Sequence, residues 1–124
     1  MLMVIADSGK ELMLKNIVGK QYSYNNVLHL YTNESIPDNP LLEDLNECNS
    51  EGYSPLLLGT SNWTVENNII IYPDVTFNIN EEDTISGYYL TQNNILLFVY
   101  PFSEKIEISI DGGQVLISLR IGFL

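Results

Sequence analysis

The chain carries one cysteine, Cys48, and one histidine, His29, in 124 residues. A lone cysteine excludes an internal disulfide framework and a cysteine-based zinc site, so packing has to hold the fold together. Basic residues are scarce as well: five Lys plus Arg stand against 16 Asp plus Glu, for a formal net charge of −11. Phosphate backbones and anionic lipid surfaces are bound through clustered Lys and Arg, so neither nucleic acid nor a membrane surface is an expected partner. Long apolar runs are missing too, and Ile95–Phe102 is far too short to cross a bilayer as a helix. Met1–Ala6 is apolar but lacks a basic flank and meets Asp7 at once, unlike a signal peptide. The expectation is a chain made in the cytoplasm and used without export.

Residues for chemistry are equally thin. Nucleophilic catalysis needs an activated nucleophile with a base in reach. His29 sits between Leu28 and Leu30 in a strand-like run, where a hydrogen-bonded structural histidine is the ordinary occupant. Cys48 lies among Glu47, Asn49 and Glu51, and neighbouring negative charge works against a reactive thiolate. The acids gather in two places: Asp38, Glu43, Asp44 and Glu47, and then Glu81-Glu82-Asp83. Neither stretch has the D-x-D-x-D-G spacing that wraps calcium, and nothing selects a carboxylate pair for glycoside hydrolysis. Asn33-Glu34-Ser35 and Asn62-Trp63-Thr64 match the glycosylation sequon, a chance match in an asparagine-rich chain without a secretory signal. These observations predict no catalytic residues, no cofactor and no metal.

What the sequence does hold is β-structure. Ile85–Phe102 reads as one hairpin, with runs of β-branched, aliphatic and aromatic residues on either side of Asn93-Asn94, and asparagine tolerates the positive φ angles of a two-residue primed turn. Such a turn sets Leu90 opposite Leu97, Tyr89 opposite Phe98, Tyr88 opposite Val99 and Gly87 opposite Tyr100. Tyr88, Leu90, Leu97 and Val99 then share one face; Tyr89, Leu96, Phe98 and Tyr100 share the other. A hairpin apolar on both faces needs cover on both sides. A second sheet supplies one cover, and a neighbouring protein is one available source of the other.

Elsewhere, Met1–Ile5 suits an edge strand. Ser8 and Glu11 have capping-box spacing before Met13, Leu14, Ile17 and Val18, which predicts a helix over Lys10–Val18, with a strand over Glu11–Val18 as the alternative. Val27–Thr32 reads as a strand. Asn33–Tyr53, with Pro37, Pro40 and six acids, reads as a long surface loop with one helical turn after Pro40. Short strands follow at Ser54–Leu58, Ser61–Val65, Ile69–Tyr72 and Val75–Ile79, the last alternating cleanly. Ile106–Ile110, a turn at Asp111-Gly112-Gly113, and Val115–Ile121 form a second hairpin. The fold expectation is a single all-β domain over residues 1–124: an antiparallel β-sandwich, jelly-roll-like, with about eight strands and at most one short N-terminal helix.

Four pieces occur in a telling order: LHLYTNE (Leu28–Glu34), LEDLNECNSEGYSPLLL (Leu42–Leu58), Trp63, and ISGYYLTQNNILLFVYPF (Ile85–Phe102). The combination resembles small virion structural proteins of tailed bacteriophages, which carry an "L-LYTN" strand, a "GDFTEA…GY" loop, a tryptophan and a "V-GY-VT…LL…F" hairpin. Leu42-Glu43 departs from the family's glycine and aspartate, and Cys48 from its alanine. The resemblance implies a structural module of the virion with no catalytic residues. The first expectation is a multi-copy capsid decoration or cement protein, held by contacts with other virion proteins, above all the major capsid protein, and forming a homo-oligomer or array. The alternative is a jelly-roll module of a tail or fibre that binds a receptor or carbohydrate. Candidate partner contacts are Pro40, Leu41, Leu42 and Leu45 in the long loop, together with Trp63, Tyr88, Tyr89 and Tyr100, with Tyr31 as a further aromatic anchor.

Overall fold

A computed structural model describes residues 4–5, 25–67 and 69–122. Among the described residues there are ten strands: β1 (Val4–Ile5), β2 (Asn26–Tyr31), β3 (Leu56–Leu58), β4 (Thr64–Glu66), β5 (Ile69–Ile71), β6 (Val75–Ile79), β7 (Asp83–Gln92), β8 (Ile95–Ile108), β9 (Gly113–Ile117) and β10 (Arg120–Gly122). All pairings among them are antiparallel. The main sheet has the order β1-β8-β7-β2-β3, a three-stranded sheet runs β10-β5-β4, and β6 pairs with β9. Among the described residues the only helical pieces are 3-10 turns at Leu42–Asp44 and Thr60–Asn62. The helix expected over Lys10–Val18 lies outside the described residues.

The two long segments around Asn93-Asn94 form one antiparallel ribbon that bends back over itself. Pairing continues outward from Gln92↔Ile95 through Asp83↔Ile108, Ile79↔Gly113 and Val75↔Ile117 to Ile71↔Arg120. Both strands of the ribbon are interrupted together, at Asn80–Glu82 against Ser109–Gly112 and at Tyr72–Asp74 against Ser118-Leu119. These paired breaks let the outer ribbon fold onto the main sheet. The enclosed core joins Leu28, Leu30, Leu58, Ile85, Tyr88, Leu90 and Phe98 from the main sheet to Phe77, Ile79, Val115, Ile117, Leu119 and Ile121 from the folded part. At about 1.5–3 kcal/mol for each fully buried aliphatic or phenyl side chain, this layer is the principal source of stability. The result is the all-β antiparallel sandwich that the alternating runs predict.

The hairpin turn falls on Asn93 and Asn94, whose φ angles are 51° and 66°. Its register differs from the expected one. Leu90 pairs with Phe98, Tyr89 with Val99, Tyr88 with Tyr100 and Gly87 with Pro101, because the ladder slips by one residue between Leu90 and Thr91. Leu97 is the extra residue of a bulge, so Leu97 and Phe98 both pack into the main core while Val99 turns to the other face with Tyr89 and Leu96. The second hairpin also shifts: the turn spans Ser109–Gly112, closed by the Gly112 amide donating to the Ser109 carbonyl at 2.9 Å, and Gly112 takes φ 83°. Ile110 therefore sits in the turn, 77% exposed, instead of ending a strand.

The outer face of the main sheet is covered by the chain itself. Leu45 and Ile36 of the long loop pack on Tyr31, Tyr89, Leu96 and Val99. Of the sources open to that second cover, the long loop is the one the structure shows.

Candidate functional site

The long loop is the element to build from, because it holds four of the candidate contacts and is fastened at its base by residues of unusual type for a loop. After β2 the backbone is caught by its own return. Thr32 N donates to Asn46 O and Cys48 N to Leu30 O, both at 2.9 Å, with a bridge between Tyr31 and Glu47. Asn33 closes the same gap through its side chain, its Nδ2 donating to Asp44 O and its Oδ1 accepting from Asn46 N, both at 2.7 Å. An amide side chain does here what another strand residue would do, satisfying one carbonyl and one N–H. At the tip, Asp44 N donates to Leu41 O at 2.9 Å and the Asp44 carboxylate accepts from Leu41 N at 2.8 Å, which makes the single 3-10 turn.

A polar network pins the returning strand to the sheet. Glu47 Oε2 lies 2.7 Å from His29 Nδ1 and accepts the Tyr53 hydroxyl at 2.6 Å. The other ring nitrogen, Nε2, lies 3.0 Å from Thr91 Oγ1. The Tyr53 oxygen in turn accepts Leu30 N at 3.1 Å, and the His29 ring stacks on Tyr89 with centroids 4.5 Å apart. A carboxylate, an imidazole and a hydroxyl in series are the parts of a nucleophilic relay. The hydroxyl end, Thr91, is buried within the sheet. Burial and the bond to Glu47 push the Tyr53 phenol up, and burial followed by the charge of Glu47 does the same to Tyr89. The network therefore fastens the loop, as the structural reading of His29 anticipates.

Cys48 is buried, with Sγ 3.6 Å from Asp83 Oδ2, and burial is the main cause that raises its thiol pKa. Asp83 also accepts the Ser50 hydroxyl. The acidic turn before β7 borders a cavity of about 340 Å3 lined by Glu82, Asp83, Thr84, Glu107, Ile108 and Ser109. Among the described residues no group of three or more His, Cys, Asp or Glu is placed to hold a metal ion.

The candidate contacts separate sharply by burial. Pro40, Leu45, Tyr31, Tyr88 and Tyr89 are buried, and Tyr100 is half-buried against Tyr88 in the main core. Trp63 is half-buried and meets Tyr72 edge-on at 4.9 Å, its Nε1 buried without a hydrogen-bond partner. Leu41 and Leu42 alone stand out, at 58% and 40% exposure. The structure brings those two together at the loop tip and takes most of the others into packing. Asn33 and Glu47, the residues that shape the loop, were not singled out by type, although an asparagine ending a strand is a recurrent local hydrogen-bonder. Comparison with family models, curated protein sequences and solved structures finds no match.

Proposed function

We propose that this protein is a multi-copy structural component of a tailed-bacteriophage virion, a jelly-roll-type decoration or cement protein that binds the capsid by surface complementarity and performs no catalysis. The observation that carries the reading is the exposed Leu41-Leu42 pair, presented on a loop whose base is tied by backbone pairing, Asn33 and the His29–Glu47–Tyr53 network. Adjacent leucines held out by a fixed turn lose little conformational entropy when a partner covers them, which is what a docking tip requires. The ordered run of sequence pieces from Leu28 to Phe102 supports the same assignment. An aromatic sugar platform built on Trp63, Tyr88 and Tyr89 has weaker support, since Tyr88 and Tyr89 are buried and Trp63 is half-buried against Tyr72.

The test is to substitute Leu41→Asp and Leu42→Asp together and quantify the protein in purified virions. Replacing the whole loop is a poorer test, because Leu45 and Pro40 are buried and Glu47 belongs to the network. The expected result is a protein with unchanged melting temperature and strongly reduced copy number on the particle. Wild-type incorporation would remove the loop tip as the attachment element. A chain that stays in host cytoplasm and is never found in virions would overturn the whole assignment.

A further inference from the structure

One cavity, of about 310 Å3, is lined by Tyr88, Tyr100 and Phe102 on the hairpin side and by Leu116, Ser118 and Arg120 on the folded-back strand. Its volume falls at the lower end of the range of about 300–1,000 Å3 typical of small-ligand sites. The three aromatic rings form one cluster, with centroids 5.0 Å apart for Tyr88–Tyr100, 6.0 Å for Tyr88–Phe102 and 6.5 Å for Tyr100–Phe102. Tyr100 and Phe102 are half-buried, and both line the cavity. Arg120 is exposed and, among the described residues, has neither an ion pair nor a side-chain hydrogen bond, in a chain where acids outnumber bases by 16 to five. Ser118, which also lines the cavity, donates its hydroxyl to Asp74 at 2.8 Å.

We propose that this cavity binds a pyranose carrying one carboxylate, with the carboxylate on Arg120 and a C–H face of the ring against Tyr100 and Phe102. A planar guanidinium with free donors accepts a carboxylate in a two-point fork, which a neutral sugar does not offer. An exposed ion pair alone contributes roughly 0–1 kcal/mol, so the aromatic contact is needed for measurable affinity. The single cation and the net charge of −11 disfavour phosphates and other multiply charged ligands. Burial, followed by the neighbouring Tyr100, holds the Tyr88 phenol up at about 12, so its hydroxyl remains a donor at any physiological pH. The site does not depend on the virion assignment and stands or falls separately.

The experiment is a titration of the full chain with glucuronate, glucose and acetate, followed by NMR shifts and repeated on Arg120→Gln and Arg120→Lys. Glucuronate is expected to bind with a dissociation constant on the order of 1 mM and to shift resonances around the cavity. Loss of the exposed ion pair is expected to weaken it about three- to fivefold in Arg120→Gln, with partial recovery in Arg120→Lys and no change in melting temperature for either. Equal binding of glucose would overturn recognition of the carboxylate. Equal binding of acetate would overturn recognition of the ring and point to acidic protein side chains. No glucuronate binding up to about 20 mM, or unchanged affinity in Arg120→Gln, would end the proposal.

Discussion

At the scale of single residues, the tyrosines give the fold a pH limit. Burial pushes Tyr31 up to about 12 from an ordinary value of 10, and burial followed by the neighbouring Tyr100 pushes Tyr88 to about 12. Tyr53 and Tyr89 move in the same direction. A raised acid is held neutral by the fold, so its contribution is complete below the unfolded value of 10. Above pH 10 the unfolded chain binds fewer protons than the folded one, and stability falls as pH rises toward 12. Urea midpoints are therefore expected to drop over that window, with tyrosinate absorbance from these four residues appearing only as the chain unfolds. Ionisation of all of them near pH 10 in a folded protein would contradict the packing described above. Gly87 sets a steric limit of the same kind: a Cβ there would meet the Tyr100 carbonyl oxygen and, at 2.6 Å, the Tyr31 ring. Gly87→Ala is expected to cost about 1–3 kcal/mol in urea denaturation, with the slope unchanged.

At the scale of elements, the loop clamp makes a separate prediction. Asn33→Ala removes two hydrogen bonds and leaves the Asn46 amide without its partner, at a cost of about 1–3 kcal/mol. Amide exchange at Asn46 should accelerate while the hairpin amides, such as Tyr88 and Val99, keep their protection; uniform acceleration would mean that the clamp supports the whole fold. Legibility in the sequence follows the same division. Val75–Ile79 alternates apolar and polar residues, and its strand and faces came out as read. The Asn93-Asn94 turn was legible because few residue types accept its φ angles. The Leu97 bulge was not, because Leu96, Leu97, Phe98 and Val99 are all apolar, and a one-residue slip exchanges like for like. Ile110 misled for a related reason: alternation carried it into the strand, although Gly112 closes the turn one residue earlier. The exposed loop tip was half legible. Proline and acids marked a surface loop, but which leucines it turns inward depends on the Asn33 and Glu47 bonds across the chain.

At the scale of the whole molecule, charge is the dominant feature that packing leaves uncompensated. Sixteen acids and five bases give −11, and among the described residues the one contact of a carboxylate with a basic side chain is that of Glu47 with the His29 ring. Like charges crowded onto a small sandwich repel one another more in the folded state than in the expanded chain. Salt relieves that cost, since the Debye length falls from about 30 Å at 0.01 M to about 8 Å at 0.15 M. The hydrogen bonds of Glu47 to His29 and Tyr53 are short-range contacts that salt leaves in place. Net repulsion should win. The melting temperature at neutral pH is expected to rise by several degrees between those two salt concentrations, about 1 kcal/mol of added stability for a domain of this size. The same screening lets copies of the chain approach, so under the proposed decoration role a chain held by apolar contacts should bind a particle more readily as salt increases, where one held by ion pairs would be released. Differential scanning calorimetry and a particle-binding assay over one salt series separate these outcomes. A melting temperature that falls with salt would show that local ion pairs, and not the global charge, govern this fold.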